Sequence, residues 1–293
     1  MKLGRFEIID PVPELKNPHV FVIIPPWLNA GESARLTMEY LEEYTKGQPL
    51  AQLPAPGEFF DFTRYRPTVS LVNGESNLEV PNAAASFGKG SSHDYLFLRL
   101  PEPHMGSELY IESILELFKY FKVKRYCLIG SMYEMLPHTR PPFVTGSASN
   151  QWLQNSNEVA RIIPSNYEGP TSIMTLLAQE AKHLGIETLS LVVHLPIYLP
   201  VPLDHRGEVR LLEACESLYG IPVPQSVIEK ARDEDEQVKA TAEAFLKQNP
   251  QLRFMLTQLE NNYDASVNNH EQVRLSPEIE KFLQDMSRGF DAG

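Results

Sequence analysis

The chain has 293 residues, of which 42% are hydrophobic and 22% are charged, a balance typical of folded globular proteins. This length is sufficient for one large α/β domain or for a domain with a sizeable appendage. Acidic residues outnumber basic ones by 38 to 26, which gives a formal net charge of −12. Because such a charge repels phosphate backbones and no local basic patch interrupts it, we expect no nucleic acid partner.

The two cysteines, Cys127 and Cys215, each lie in an apolar segment without a CxxC partner or metal-ligand spacing, and we interpret them as free core thiols. The first ten residues lack the apolar region of a signal peptide, and no run approaches the roughly 20 apolar residues that span a membrane. The sequence contains no metal-ligand cluster and no glycine-rich nucleotide fingerprint. It therefore predicts a cytoplasmic protein with no membrane partner, no metal and no cofactor.

Predicted strands and helices alternate along the first two thirds of the chain. Short apolar runs, typical of strands that are buried on both faces, are followed by segments with helical spacing. The predicted strands are 20–24, 58–62, 68–72, 94–100, 125–131 and 189–195. The predicted helices are 33–44, 107–121 and 169–184. This alternation predicts an α/β fold with a largely parallel sheet and helices on both faces.

From residue 204 onward the pattern becomes helical. Helices are predicted at 208–219, 225–248 and 251–263, followed by a polar linker at 261–274 and a last helix at 276–287. The segment 229–247 is highly charged with few apolar positions, which is typical of a solvated helix that packs one narrow stripe on a neighbour. We therefore predict an α/β core at 1–203 and a helical region at 204–293.

The segment Pro137-His138-Thr139-Arg140-Pro141 follows the predicted strand at 125–131. In open α/β sheets, ligands bind just beyond the carboxyl ends of the strands. The two prolines restrict the backbone on either side of His138 and Arg140, which can orient a carboxylate or a phosphate. Glu102, at the end of the preceding strand, is the expected ionic partner of both side chains. We interpret His138 and Arg140, together with Glu102, either as a structural brace between two loops or as part of an anion pocket.

Six short motifs follow one another along the chain: Trp27-Leu28-Asn29-Ala30-Gly31, Arg66-Pro67-Thr68-Val69, Pro101-Glu102-Pro103, Pro137-His138-Thr139-Arg140-Pro141, Tyr167-Glu168-Gly169-Pro170-Thr171 and Leu195-Pro196-Ile197-Tyr198. A further segment, Leu259-Glu260-Asn261-Asn262-Tyr263-Asp264, lies in the last predicted helix before the linker. In this order the motifs resemble the proteasome assembly chaperone 2 family, in particular its bacterial branch, over roughly residues 18–265.

The resemblance implies a three-layer α/β/α sandwich similar to nucleoside phosphorylases, which forms homo-oligomers. It also implies a non-enzymatic scaffold or assembly factor that acts on a client protein. Many chaperones of the family dock on the proteasome ring through a C-terminal tail that carries a tyrosine. Residues 288–293 contain no tyrosine, so docking by that mechanism is not expected here.

An alternative function from a different class is an enzyme or a binding protein for a small anionic metabolite, such as a nucleoside or sugar phosphate. The predicted helix start at Gly169, with the hydroxyls of Thr171 and Ser172, favours an anion through its free N–H groups and the helix dipole. The segment resembles the substrate helix of nucleoside phosphorylases, which grip the purine with a phenylalanine and a glutamate. The corresponding residues here are Ser172 and Ile173, and an isoleucine cannot hydrogen-bond a base.

Four further residues near predicted strand ends are candidates for a subunit interface or a pocket wall: Trp27, Asn29, Arg66 and Tyr198. Aromatic side chains and arginines are frequent anchors of protein interfaces. His194, in contrast, lies within an apolar strand and is interpreted as a core histidine with satisfied hydrogen bonds.

Overall fold

The computed structural model describes residues 1–72, 74–148, 162–165, 167–248 and 250–269. Its described part contains a ten-stranded mixed sheet with a parallel centre. The four central strands, in spatial order, are β8 (Tyr95–Arg99), β3 (His19–Ile23), β9 (Arg125–Glu134) and β12 (Glu187–Pro196). All three pairings among them are parallel. These strands are buried on both faces, as their continuous apolar runs predict.

Antiparallel strands extend the sheet on both sides. Beyond β8 lie β7 (Ala84–Gly88), β4 (Gln48–Gln52), β2 (Phe6–Ile8) and β1 (Lys2–Leu3). Beyond β12 lie β10 (Phe143–Ala148), which is antiparallel to it, and β11 (Ile162–Pro164), which is parallel to β10. The predicted parallel arrangement is therefore confirmed for the centre of the sheet, while the flanks are antiparallel.

Helices cover both faces of the sheet, which confirms the predicted three-layer α/β/α sandwich. On one face, α2 (Ser107–Phe121) and α3 (Ile173–His183) contribute Tyr110, Phe118 and Leu177 to one apolar cluster. On the other face, α1 (Ser33–Tyr44) and α4 (His205–Tyr219) contribute Met38 and Leu211 to a second cluster. Alternate residues of each central strand point into the two clusters because the side-chain period of a strand is two.

Two further parts stand outside these layers. A hairpin of β5 (Thr68–Val72) and β6 (Glu75–Glu79) forms a separate two-stranded sheet. After α4, the helices α5 (Gln225–Gln248) and α6 (Pro250–Asn269) form what we call the helical arm. Since α4 packs in the second cluster with α1, the first helix after residue 203 shares a core with the sheet. The division of the chain at residue 203 stays a prediction.

Of the helices in the described ranges, none has both the length and the apolar character needed to cross a bilayer.

Three sequence predictions need correction. The strand predicted at 58–62 is wrong: Pro56–Glu58 form a 3-10 turn, and the N–H groups of Phe59 and Phe60 bond locally to the Pro56 carbonyl. The helix predicted from Gly169 begins at Ile173: Ser172 is still extended, and its carbonyl accepts from the Thr175 N–H at 3.1 Å. The linker predicted from 261 is helical through Asn269, and the last helix predicted at 276–287 lies outside the described residues.

A close approach of α4 to α1 gives a test of this packing. A Cβ at Gly207 would lie 2.5 Å from Ser33 Oγ and 3.0 Å from Leu195 Cδ2, and Ser33 Oγ itself donates to the Asp204 carbonyl at 2.8 Å. We expect Gly207→Ala to lower the free energy of unfolding by about 1–3 kcal/mol through overpacking, measured by urea denaturation. Ser217→Ala, on the same helix, is the control and should change it little. Equal stability of Gly207→Ala and wild type would contradict this packing.

Candidate functional site

The helical arm lies against the carboxyl edge of the parallel strands. The loops that follow β3, β9 and β12 share this edge, and the arm contacts the loop after β9 and the segment that leads from β12 into α4. Ligands of open α/β sheets bind at this edge. The position expected for a ligand is therefore next to a segment of the same chain.

Arg140 is the centre of the contact between the loop after β9 and α6. Its Nε and Nη2 donate to the two carboxylate oxygens of Asp264 at 2.9 and 2.8 Å, and its Nη1 lies 3.4 Å from Glu260 Oε1. Thr139 donates to the same Glu260 carboxylate, and the Tyr263 hydroxyl donates to the Pro141 carbonyl at 2.7 Å. The guanidinium lowers the pKa of Asp264. The ionic partner predicted for Arg140, Glu102, is therefore wrong, because the arginine fork already holds two carboxylates of α6.

His138 is buried beneath this contact and bonds to Tyr198. The Tyr198 hydroxyl accepts from the His138 backbone N–H at 2.9 Å and lies 2.9 Å from His138 Nδ1. The hydroxyl can donate to Nδ1 or accept from it while it accepts the backbone N–H, so it satisfies this ring nitrogen in either neutral tautomer. Burial lowers the pKa of His138, with a further contribution from the Arg206 charge, and burial raises the pKa of Tyr198 to about 12. Both side chains are neutral at pH 7, and their hydrogen bonds hold the loop after β9 against the segment that follows β12.

Arg206 is the centre of a buried ionic cluster that joins α4 to α5. Only 6% of Arg206 is exposed; its Nη2 lies 3.1 Å from Asp204 Oδ2 and its Nε 3.2 Å from Glu234 Oε1. Glu234 also accepts from the His205 backbone N–H at 2.8 Å. Burial, and then the charge of Asp204, raise the pKa of Glu234. The cluster fixes the start of α5, the first helix of the arm, next to the carboxyl edge. Neither Asp204 nor Glu234 is recognisable as a site residue from the sequence, because both become neighbours of Arg206 only through the tertiary fold.

The candidate anion site at the start of α3 contains a carboxylate of the chain itself. Glu102 Oε1 accepts from the Ile173 N–H at 2.7 Å, so it occupies the positive end of the helix dipole. Ser172 is half-buried there, while Gly169 and Thr171 are exposed and precede the helix. The fold thus brings Glu102 and Ser172 together at one helix start. Among the described residues, no hydrogen bond or ion pair links this group to His138 or Arg140. Binding of an anion stays a prediction.

The other candidate residues have separate positions. Asn29 Oδ1 accepts from the Arg35 N–H at 3.2 Å and so supports the first turn of α1. Trp27, in the loop after β3, is 62% exposed, and Arg66, before the β5–β6 hairpin, is exposed as well. Trp27 and Arg66 are available to a partner, and their role as interface residues stays a prediction.

His194 on β12 has a hydrogen-bond partner for each ring nitrogen. Nδ1 contacts the Glu134 carboxylate, and Nε2 lies 2.8 Å from the Thr145 hydroxyl. Phe143 stacks on the ring, with centroids 4.6 Å apart. Both polar partners come from neighbouring strands at the edge where the arm docks, and the histidine ties the strands β9, β12 and β10 together, as expected for a satisfied core histidine.

A depression of about 420 Å³ opens at the opposite, amino edge of the parallel strands. Its wall includes His19 at the start of β3 and His93, whose rings stack at 3.8 Å, together with Lys124, Arg125 and Glu187. Within the described chain, His19 Nδ1 and His93 Nε2 are buried without a hydrogen-bond partner. Burial is the main cause that lowers the pKa of both, that of His19 to about 3. No sequence pattern indicates this depression, since its residues come from four separate segments.

No metal centre accompanies these groups in the part of the chain that the structure describes, where no three His, Cys, Asp or Glu side chains are placed to hold an ion. The groups at the carboxyl edge are instead paired with one another. Their arrangement is suited to fixing the helical arm in place.

Comparison with known proteins identifies the fold. A family model described as the PAC2 family matches residues 23–242. A PAC2 family protein from Streptomyces avermitilis is 26% identical, with a TM-score of 0.69, over 79% of this chain and 98% of its own. A protein of unknown function from Corynebacterium glutamicum is 19% identical, with a TM-score of 0.77, over 91% of this chain and all of its own. A proteasome-assembly chaperone homologue from Mycobacterium tuberculosis is 22% identical, with a TM-score of 0.67, over 76% and 94%. No curated protein matches.

The contact of Arg140 with α6 can be tested by hydrogen exchange. We expect Arg140→Ala to raise the exchange rate of α6 amides about fivefold, because the ion pairs with Glu260 and Asp264 that hold α6 on the loop are lost, and to leave the central strands unchanged. Arg64→Ala is the control, since Arg64 lies 3.7 Å from Asp61 and is 71% exposed. Unchanged exchange in α6 would show that Arg140 does not hold the arm.

The neutral His19 gives stability a specific pH dependence. The pKa of His19 is about 3 in the folded state and 6.5 in the unfolded chain. As the pH falls below 6.5, His19 is therefore protonated in the unfolded chain but stays neutral in the folded one. Stability contributed by this group is therefore present above pH 6.5 and lost below it. Between pH 7 and 5 we expect the wild type to lose about 2 kcal/mol more than His19→Gln, measured by urea denaturation. His183→Gln, at an exposed position, should behave as the wild type. Parallel curves for His19→Gln and wild type would refute this assignment.

Proposed function

The chain belongs to the PAC2 family, and we propose from this premise that it is a non-enzymatic, homo-oligomeric scaffold or assembly factor that binds a client protein. One observation carries the proposal: the helical arm of the same chain is docked at the carboxyl edge of the sheet, where open α/β enzymes bind small ligands. Groups that an enzyme would direct at a substrate are here paired with each other. Arg140 is bound to two carboxylates and His138 to Tyr198.

The outer surface of the arm is suited to a protein partner. Along α5, Glu229, Asp233, Glu236 and Glu243 are exposed, whereas Val238 and Ala242 are buried. The arm therefore packs one narrow stripe and leaves a surface of mixed charge, because Lys230, Arg232, Lys239 and Lys247 are exposed beside these acids. Polar, charged surfaces of this kind are typical of transient interfaces, in which complementary charges speed association. We propose a client whose contact surface carries complementary charges of both signs.

The descriptions of two structural neighbours also support the binding of other proteins. One structural neighbour is described as a proteasome-assembly chaperone homologue, and another, from Pyrococcus furiosus, as an archaeal proteasome activator. We extend only the general role, the binding of other proteins, to this chain, because these neighbours are 22% and 17% identical to it. A cytoplasmic location remains part of the proposal.

The alternative, a protein for a small anionic metabolite, depends on the start of α3. Exposed backbone at Gly169 and the hydroxyl of Thr171 favour it. The Glu102 carboxylate at the Ile173 N–H opposes it, since a second anion would have to displace the first or accept its repulsion. The balance of charge at this helix start favours the scaffold.

Affinity purification from the native host with mass spectrometry tests the proposal. We expect the full chain to recover a protein partner in stoichiometric amount. The variant Glu229→Lys/Glu236→Lys in α5 should recover about tenfold less of this partner, because the charge at both positions is reversed. Glu108→Lys/Glu112→Lys, exposed on α2, is the matched control with the same change in net charge and should retain the partner. Recovery of one bound metabolite per chain, with no protein partner, would contradict the scaffold and favour the alternative.

A further inference from the structure

The ionic cluster around Arg206 contains more acids than bases. Asp204, Glu208 and Glu234 supply three carboxylates, and their side chains are only 2%, 5% and 12% exposed. Arg206 and, when it is protonated, His205 supply the cations. Even with His205 protonated, three carboxylates therefore face two cations. The cluster carries excess negative charge unless one of its acids is protonated.

Glu234 is the acid in excess, and it is the one that the helical arm contributes. Asp204 Oδ2 lies 3.1 Å from Arg206 Nη2, and Glu208 Oε2 lies 2.7 Å from His205 Nδ1, so each of these acids has a basic partner. Glu234 must share the guanidinium with Asp204, since its Oε1 lies 3.2 Å from Arg206 Nε. A buried charge without a counter-charge of its own is costly, and a carboxyl in that position tends to take up a proton.

We propose that Glu234 is a pH-sensitive switch for the docking of the helical arm, in which a protonated carboxyl tightens the contact of α5 with α4 and an ionised one loosens it. A protonated Glu234 can still accept from the His205 N–H, while Asp204 alone balances the guanidinium. An ionised Glu234 sets the negative charge of α5 against that of Asp204, which precedes α4. The inference concerns regulation of the arm and goes beyond the proposed function.

The pKa of Glu234 determines the direction and range of this switch. Burial, and then the charge of Asp204, raise it from the ordinary 4.5 to about 7 while the arm is docked. In an undocked arm the side chain is in water and has the ordinary value. As the pH falls through 7, the docked arm takes up a proton that the undocked arm takes up only near 4.5. Docking therefore strengthens as the pH falls from 7 to 4.5, and this contribution is lost as the pH rises through 7.

Further charges surround the cluster. Arg206 Nη1 lies 3.9 Å from Asp235, which is itself paired with Lys239 at 2.5 Å. Burial raises the pKa of Glu208 as well, so its titration acts in the same direction as that of Glu234. Other titratable groups around the cluster are Glu39, His138, Tyr198, His205, Lys230 and Glu260.

The rest of the arm is held by contacts that do not depend on this proton. Val227 and Ala231 of α5 are buried apolar residues, and Val227 belongs to the second core cluster. The Arg140 guanidinium lowers the pKa of Asp264, so that the contact of α6 with the loop after β9 stays ionic above pH 5. Loss of the proton from Glu234 therefore opens α5 locally. The opening uncovers part of the carboxyl edge while α6 is still held.

Hydrogen exchange of the full chain at several pH values tests the switch. Exchange is expressed as a protection factor, relative to the intrinsic rate at each pH. We expect the protection of α5 amides in the wild type to fall about tenfold between pH 5.5 and 7.5. In Glu234→Gln it should stay constant, because glutamine keeps an acceptor for the His205 N–H without the charge. Glu236→Gln, exposed on the same helix and with the same change in net charge, is the control and should follow the wild type.

The opposite dependence has a clear meaning. Wild-type protection that is constant or rises with pH overturns the switch, and so does a Glu234→Gln variant that follows the wild type. If Glu234→Gln does not fold, an NMR titration of the side-chain carboxyl carbon of Glu234 in the wild type decides: a midpoint near pH 7 supports the switch, and one near 4.5 overturns it. Recovery of a client is measured separately, so failure of the switch leaves the proposed function intact.

Discussion

The buried Arg206 is the constraint on which the arrangement of the rest depends. A buried guanidinium is strongly destabilising without partners, and here Asp204 and Glu234 supply them from the end of the β12 connection and from α5. Because Glu234 also accepts from the His205 N–H, α5 can begin in only one place relative to α4. The helical arm is thereby positioned over the carboxyl edge of the sheet by contacts that do not involve α6.

The contacts of α6 follow from that position. Once α5 is fixed, α6 returns to the loop after β9, where Asp264 and Glu260 meet Arg140. The prolines on either side hold this loop in one shape, so the arginine fork is already oriented for a carboxylate. The loop at which an enzyme of this architecture would hold a ligand is used to hold a helix. The proposal of protein binding rests on this internal contact and on membership of the PAC2 family.

The sequence predicted the local structure well where pattern and burial coincide. The helices 33–44 and 107–121 have the bounds of α1 and α2, because their apolar spacing and ends are encoded locally. The flanking strands β1, β2, β4 and β7 were missed, since they are short and partly exposed. The partner of Arg140 was missed for a different reason: Asp264 is 124 residues away in sequence, and only the tertiary fold makes them neighbours. Both segments had nevertheless been recognised as separate family motifs, and the structure brings those two motifs into contact.

Two exposed surfaces of the described residues differ in their chemistry. The β5–β6 hairpin exposes Val69, Leu71 and Leu78, while the outer side of α5 exposes acidic and basic side chains in similar number. Apolar contacts are characteristic of long-lived interfaces between identical subunits, whereas charged contacts suit partners that associate and leave. Because the outer side of α5 carries charges of both signs, a client that binds there needs a matching pattern of opposite charges rather than a uniformly basic surface.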